Sequence, residues 1–151
     1  MQKQEFKVVI NASPEKVWDV LWCDVSYSQW TSVFSEGSKA ETDWNEGSKV
    51  LFLDGKGQGM VSVIAAKKPN VFMSFKHLGV VNNGIEDLDS PQTKEWAGAL
   101  ENYTLRSSNN KTELIVEMDI TEEYKDYFLK TWPQALNKVK ELAEEKDQRS
   151  I

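Results

Sequence analysis

Three side chains in this sequence have the type and spacing to move a proton or orient a polar group: His77, Asp54 and Glu101. His77 is the only histidine in 151 residues and the only side chain whose ordinary titration falls near neutral pH. It ends the alternating run Val71, Met73, Phe75, His77, so three apolar residues share its face. Asp54 ends a similar run behind Val50 and Phe52, and Glu101 lies in step with Tyr103 and Leu105. A carboxylate facing an apolar cavity has its pKa pushed up by burial and can then act as a general acid or base. The opposing reading is a satisfied histidine at a strand end and two solvated charges. Both readings are open on the sequence alone, because register near turns is uncertain.

Other chemistries find little support. One His and one Cys make a zinc site improbable, so no metal and no cofactor is expected. Gly55-Lys56-Gly57-Gln58-Gly59 has a superficial likeness to a phosphate loop, but a strand pattern follows it rather than a helix, so it reads as a hairpin connection. No Gly-x-Ser-x-Gly nucleophile elbow occurs. Cys23 has no evident partner and reads as a buried structural thiol.

The balance of charge narrows the partners. Lys and Arg number 18 against 24 Asp and Glu, a net charge of -6. That argues against nucleic acid and anionic membrane surfaces, both of which call for a basic face. No apolar run reaches the roughly 18 residues of a membrane span, and no membrane insertion is expected. The polar start Met1-Gln2-Lys3-Gln4-Glu5 shows no signal peptide, and a single cysteine fits a reducing cytoplasm. Six Trp is a high count. It suits either a core of large side chains or an aromatic-lined pocket.

The elements that must position these residues read clearly. Gln4 to Ile10 alternates as a half-buried strand. Ser13 is a good N-cap and Pro14 a good first helical residue for a helix burying Val17, Val20 and Leu21. Asp24 starts a second short helix reaching about Phe34. Strand patterns follow at Ser38–Thr42, Ser48–Leu53, Met60–Ala66, Asn70–Leu78, Lys94–Arg106 and Thr112–Ile120, joined as an antiparallel meander. Gly79 to Thr93 is the one long connection, either a hairpin loop or a lid over a cavity mouth. Helical pattern resumes at Thr121. Pro133 and the Thr131/Gln134 spacing predict a hinge there. Beyond it Trp132, Leu136, Val139, Leu142 and Ala143 share a face, with Lys138, Lys140, Glu141, Glu144 and Glu145 outside it.

The set Ile10-Asn11-Ala12-Ser13-Pro14-Glu15-Lys16-Val17-Trp18, then Trp30, Gly47 and Val50, Lys68-Pro69 before Phe72-Met73-Ser74-Phe75, Thr112-Glu113-Leu114 and Trp132-Pro133-Gln134-Ala135-Leu136 resembles the START-related, birch-pollen-allergen-like helix-grip superfamily (SRPBCC). Within it the chain looks most like the branch of activators of the heat-shock-protein-90 ATPase. The resemblance covers almost the whole chain. It implies an α+β helix-grip fold: one domain over residues 1–151, with a seven-stranded antiparallel sheet around a long C-terminal helix. Two short helices follow the first strand, and a cavity lies between sheet and last helix. Members include lipid and hormone carriers, cyclases and chaperone regulators, so the fold does not settle activity.

Three functions are expected to compete. The first is binding of a small hydrophobic molecule, lined by Trp30, Phe34, Trp44, Phe52, Phe75, His77, Tyr103, Phe128 and Trp132, with Asp54 and Glu101 as polar pocket residues. The second is a cyclase- or hydrolase-like enzyme using His77, Asp54 or Glu101 as acid/base. The third is a chaperone-associated interaction module, with a homodimer formed through an outer sheet face bearing Val61, Val63 and Phe72.

Overall fold

Ser13 and Pro14 open the first helix as their chemistry requires. In the computed structural model of the chain, the Ser13 hydroxyl accepts from the Lys16 N–H at 3.3 Å and Pro14 occupies the first turn. The structure describes residues 2–149, and side chains as far as Glu144. The ends of the 1–151 span expected to form one domain, and the side chain of Glu145, lie outside the described residues.

The elements run β1 (Gln2–Ile10), α1 (Pro14–Trp22), α2 (Asp24–Thr31), β2 (Lys39–Glu41), β3 (Lys49–Leu53), β4 (Gln58–Lys68), β5 (Phe72–Asn82), β6 (Ile85–Asp87), α3 (Pro91–Lys94), β7 (Leu100–Ser108), β8 (Lys111–Ile120) and α4 (Glu122–Arg149). The sheet is antiparallel, ordered β1-β8-β7-β5-β4-β3-β2, with β6 paired to β5. The inner face carries Phe6, Ile10, Val50, Ile64, Met73, Phe75, Tyr103, Leu105, Leu114 and Val116. Against it lie the apolar stripes of α1 and α2 and Trp132, Ala135, Leu136, Val139 and Ala143 of α4.

Four expectations are corrected. The sheet has eight strands, not seven: Asn83 and Gly84 take left-handed backbone (φ 51° and 85°), and Ile85–Asp87 folds back on Val80–Asn82. The last strand pair begins at Leu100 rather than Lys94, because Ser90 caps a short helix at Pro91 by accepting from the Thr93 N–H. α4 continues through Pro133 without a break. Pro133 removes one backbone donor, but Trp132, Ala135 and Leu136 around it are buried against the sheet, and that packing outweighs one lost bond. Cys23 is exposed at the α1–α2 junction, not buried.

The connection from Gly79 to Thr93 does not close over an inner cavity. Val61 and Ser62 are neighbours on β4, so their side chains leave opposite faces. Ser62 faces the core beside His77, and Val61 pairs with Gly79 on the outer face. Asp87 and Leu88 sit directly on Gly79, where a Cβ would lie 2.2 Å from the Asp87 carbonyl. Val61 is consequently 1 % exposed and offers no surface to a partner, while Val63 and Phe72 are half-buried.

A buried polar chain in an aromatic core

A β-bulge builds the polar part of the site. Between Val61 and Ser62 the β4–β5 register shifts, so that Ser62 pairs with His77. Phe75 pairs with Glu101 across β5–β7, which sets His77 one pleat away from Glu101. The side chains then meet: Ser62 Oγ lies 2.6 Å from His77 Nδ1, and His77 Nε2 lies 3.1 Å from Glu101 Oε1. The Tyr103 hydroxyl donates to Glu101 Oε2. With Glu101 ionised, the carboxylate only accepts. For a neutral ring, His77 then donates from Nε2, and its Nδ1 accepts the Ser62 hydroxyl proton. Every group in the chain is satisfied.

Charge and burial reinforce the arrangement. Burial, and then the Glu101 carboxylate, push the Tyr103 phenol well above the ordinary tyrosine range. Tyr27 is raised for the same two reasons, burial first. Both phenols therefore stay protonated and available as donors. Hydroxyl, imidazole and carboxylate stand in the order of a nucleophile, base and orienter. Ser62 is 0 % exposed, however, so its role here is that of a hydrogen-bond partner.

Aromatic rings surround this chain. Trp22 packs on Tyr103 at 4.9 Å and on Phe75 at 5.4 Å between ring centres. Phe52 meets Phe75 at 5.0 Å and His77 at 6.1 Å. Trp132 meets Phe34 at 5.0 Å and Tyr103 at 6.1 Å. Trp30, Phe75, Tyr103 and Trp132 are buried, whereas Phe34, Trp44, Phe52 and Phe128 are half-buried. The expected cavity is thus occupied by side chains at its centre. A groove of about 380 Å³ lies instead between β1 and α4, bordered by Glu5, Phe6, Lys7, Val8, Pro133, Leu136 and Asn137.

Two features of the core are costly. The indole N–H groups of Trp22 and Trp132 are buried without a hydrogen-bond partner among the described residues. Such a donor forfeits about 1–3 kcal/mol. Trp30, by contrast, donates to the Leu21 carbonyl at 3.2 Å. Trp44 holds a left-handed backbone, φ 63°, which costs a bulky residue about 1–3 kcal/mol.

Of the sequence-derived site residues, the structure brings His77 and Glu101 together and surrounds them with Phe52, Phe75 and Tyr103; Trp30 and Trp132 reach the same cluster through Tyr103. Trp44 joins through Trp22 at 5.4 Å. Phe34 and Phe128 belong to its edge, in ring contact with Tyr127. Asp54 does not join: it sits in the β3–β4 turn and accepts the N–H groups of Lys56 and Gln58 at 2.7 and 3.0 Å. Those bonds, Gln58 first, hold its pKa below the usual range, the opposite of a carboxylate in an apolar pocket. Ser62, Trp22 and Tyr27 are site residues that sequence reasoning missed. Ser62 lies in step with Met60 and Ile64, and Tyr27 stands three residues before Trp30; both signals are visible in hindsight of the fold.

A curved antiparallel sheet gripping a long helix across an aromatic core defines a helix-grip protein. The family model described as "Activator of Hsp90 ATPase homolog 1-like protein" matches residues 11–144. The chain belongs to that family. No curated protein matches the sequence. Among solved structures, the Aha1 dimer from Colwellia psychrerythraea is similar with a TM-score of 0.73 at 19% identity, covering 95% of this chain and 97% of that one. Protein MLL2253 from Mesorhizobium loti gives 0.72 at 18% identity, covering 95% and 98%. CalU16 from Micromonospora echinospora gives 0.66 at 13% identity, covering 97% and 79%. At these identities the likeness is one of fold.

Proposed function

We propose that the protein binds a small, mainly apolar molecule between the sheet and α4, and that the Ser62–His77–Glu101–Tyr103 chain orients it. The observation that carries this reading is a fully connected polar chain inside an aromatic lining. Apolar ligand sites combine such rings with a few convergent polar groups. Rings fill the centre, so a ligand enters by displacing one of those at the edge, where Phe34, Trp44, Phe52 and Phe128 are half-buried. No described helix is long and apolar enough to cross a membrane; a cytoplasmic setting belongs to the proposal. Native mass spectrometry after incubation with naphthols, flavonoid-sized phenols and long-chain fatty acids tests it. A one-to-one complex that weakens in Glu101→Leu is expected; no complex with any of these probes would refute the reading.

A second reading has its own observation. Tyr124 and Tyr127 are exposed on the first turns of α4, and rings run on from them to Phe128 and Phe34. Exposed aromatic surface suits a protein partner. The family's description and the dimeric Aha1 relative support a chaperone of the Hsp90 type or a second copy in that place. Sedimentation analysis and capture by an Hsp90 homologue, each compared with Tyr127→Lys, test it. A monomer that captures no homologue, unchanged by the substitution, would set it aside.

A further inference from the structure

Trp44 is delivered to the heart of the cluster by a loop, as Phe34 is at its edge. It lies between β2 and β3, with φ 63°. Local bonds hold it there. Its N–H donates to Thr42 Oγ1 at 3.2 Å, and Lys67 Nζ donates to its carbonyl at 2.7 Å. Asn45 N–H donates to Asp43 Oδ1 at 2.9 Å, and Lys67 N–H to Glu46 Oε1 at 2.9 Å. Its ring leans on Trp22 at 5.4 Å, Phe75 at 6.3 Å and Tyr27 at 6.5 Å. Those three neighbours are buried while Trp44 is half-buried. Withdrawing this single side chain would leave a slot walled by three flat rings. Trp22, which forms one wall, carries a buried N–H with no acceptor among the described residues. Backbone strain of this kind clusters at functional sites, and here it motivates a hypothesis of function.

We propose that Trp44 fills, from within the chain, the place of a planar neutral aromatic ligand bearing a hydrogen-bond acceptor, and that the Trp22 N–H recognises the acceptor. The proposal rests on the ligand-binding reading above and names its ligand class and its entrance. An aromatic ketone or quinone has the required shape: its ring replaces the Trp44 indole and its carbonyl oxygen takes the unused proton donor. A neutral ligand is favoured because the Glu101 carboxylate lies just beyond, on Tyr103, which Trp22 touches and would repel an anion.

The test uses methyl naphthyl ketone and ethylnaphthalene, which share a shape and differ in the acceptor. Calorimetric titration of wild type, Trp44→Gly and Trp22→Phe is the main measurement, with indole and imidazole NMR signals followed in the wild type. Trp44→Gly also suits the left-handed backbone, and Trp44→Leu serves should the glycine variant fail to fold. Opening the slot should tighten both probes about tenfold. Wild type should prefer the ketone about tenfold, and Trp22→Phe should erase that preference. The ketone should shift the Trp44 and Trp22 indole signals. Folded Trp44 variants that bind no more tightly, or a ketone preference that survives Trp22→Phe, would overturn the proposal. Should the probes shift His77 and Tyr103 but leave both indoles unmoved, the ligand-binding reading stands and this one falls. Binding of neither probe by any variant would overturn the proposal, and the ligand-binding reading falls with it only when the naphthols, phenols and fatty acids also give no complex.

Discussion

Replacing Glu101 with Leu isolates the energetic centre of the polar chain. Glu101 accepts from His77 Nε2 at 3.1 Å and from the Tyr103 hydroxyl. Leu is close in size but accepts nothing, so two donors are left without partners. Tyr103 is 2 % exposed and His77 6 %, which leaves little room for water to take over. Each stranded donor costs about 1–3 kcal/mol. The Glu101 side chain is 16% exposed, so solvent relieves part of that cost, and the lower half of the range applies: about 2–4 kcal/mol in all. Glu101→Gln behaves differently. Its amide oxygen can accept one proton and its NH2 can donate to the phenol oxygen or to a retautomerised imidazole. Its loss should be about 1 kcal/mol or less. Urea unfolding followed by tryptophan fluorescence measures both. Equal stability of Glu101→Leu and Glu101→Gln would refute the reasoning, because it would mean that the two donors are hydrated rather than buried.

Tyr27 and Tyr103 make a pH prediction with a definite sign. Their folded-state pKa values lie above the ordinary value near 10, burial being the first cause. Above that pH the unfolded chain releases protons that the folded one keeps, so stability falls as pH rises, by about 1.4 kcal/mol per unit for each tyrosine. Tyr103→Phe should shed about half of that slope in alkaline unfolding, and an unchanged slope would contradict it. Pro133→Ala should stabilise the protein by about 1–3 kcal/mol, since Pro133 is exposed and removes a backbone donor inside the continuous helix α4; a lower unfolding midpoint would contradict it. Gly59→Ala should cost about 3 kcal/mol or more, because a Cβ there would lie 1.7 Å from the Phe52 carbonyl oxygen. A thermal midpoint unchanged by that substitution would show that the β3–β4 contact yields easily.

Parity along strands was legible in the sequence, and register was not. The alternation of Val71, Met73, Phe75 and His77 assigns His77 to the inner face, and that of Glu101, Tyr103 and Leu105 does the same for Glu101. Their meeting depends on which residues of β5 and β7 pair, together with a bulge that brings Ser62 opposite His77, and neither is written in a period-two pattern. Asp54 shows the limit of parity: one residue past the end of β3, turn chemistry outweighs it, and the carboxylate binds its own loop. Ser13-Pro14 announced α1 because capping is local. Pro133 misled for the same reason: the local rule against helix-interior proline was overridden by burial of Trp132, Ala135 and Leu136. The left-handed backbone of Trp44 could not be read from the residue itself, since it is held jointly by turn bonds such as Trp44 N–H on Thr42 Oγ1 and by a contact distant in sequence, Lys67 Nζ on its carbonyl.

The central claim is that an apolar ligand lodges among the core rings beside the His77–Glu101–Tyr103 chain. Intermolecular nuclear Overhauser effects from methyl naphthyl ketone to the wild-type protein test it most directly. The account predicts cross-peaks to Trp22, Phe75 and Tyr103, with a change at the His77 imidazole. Cross-peaks confined to Tyr124, Tyr127 and the β1–α4 groove would contradict it.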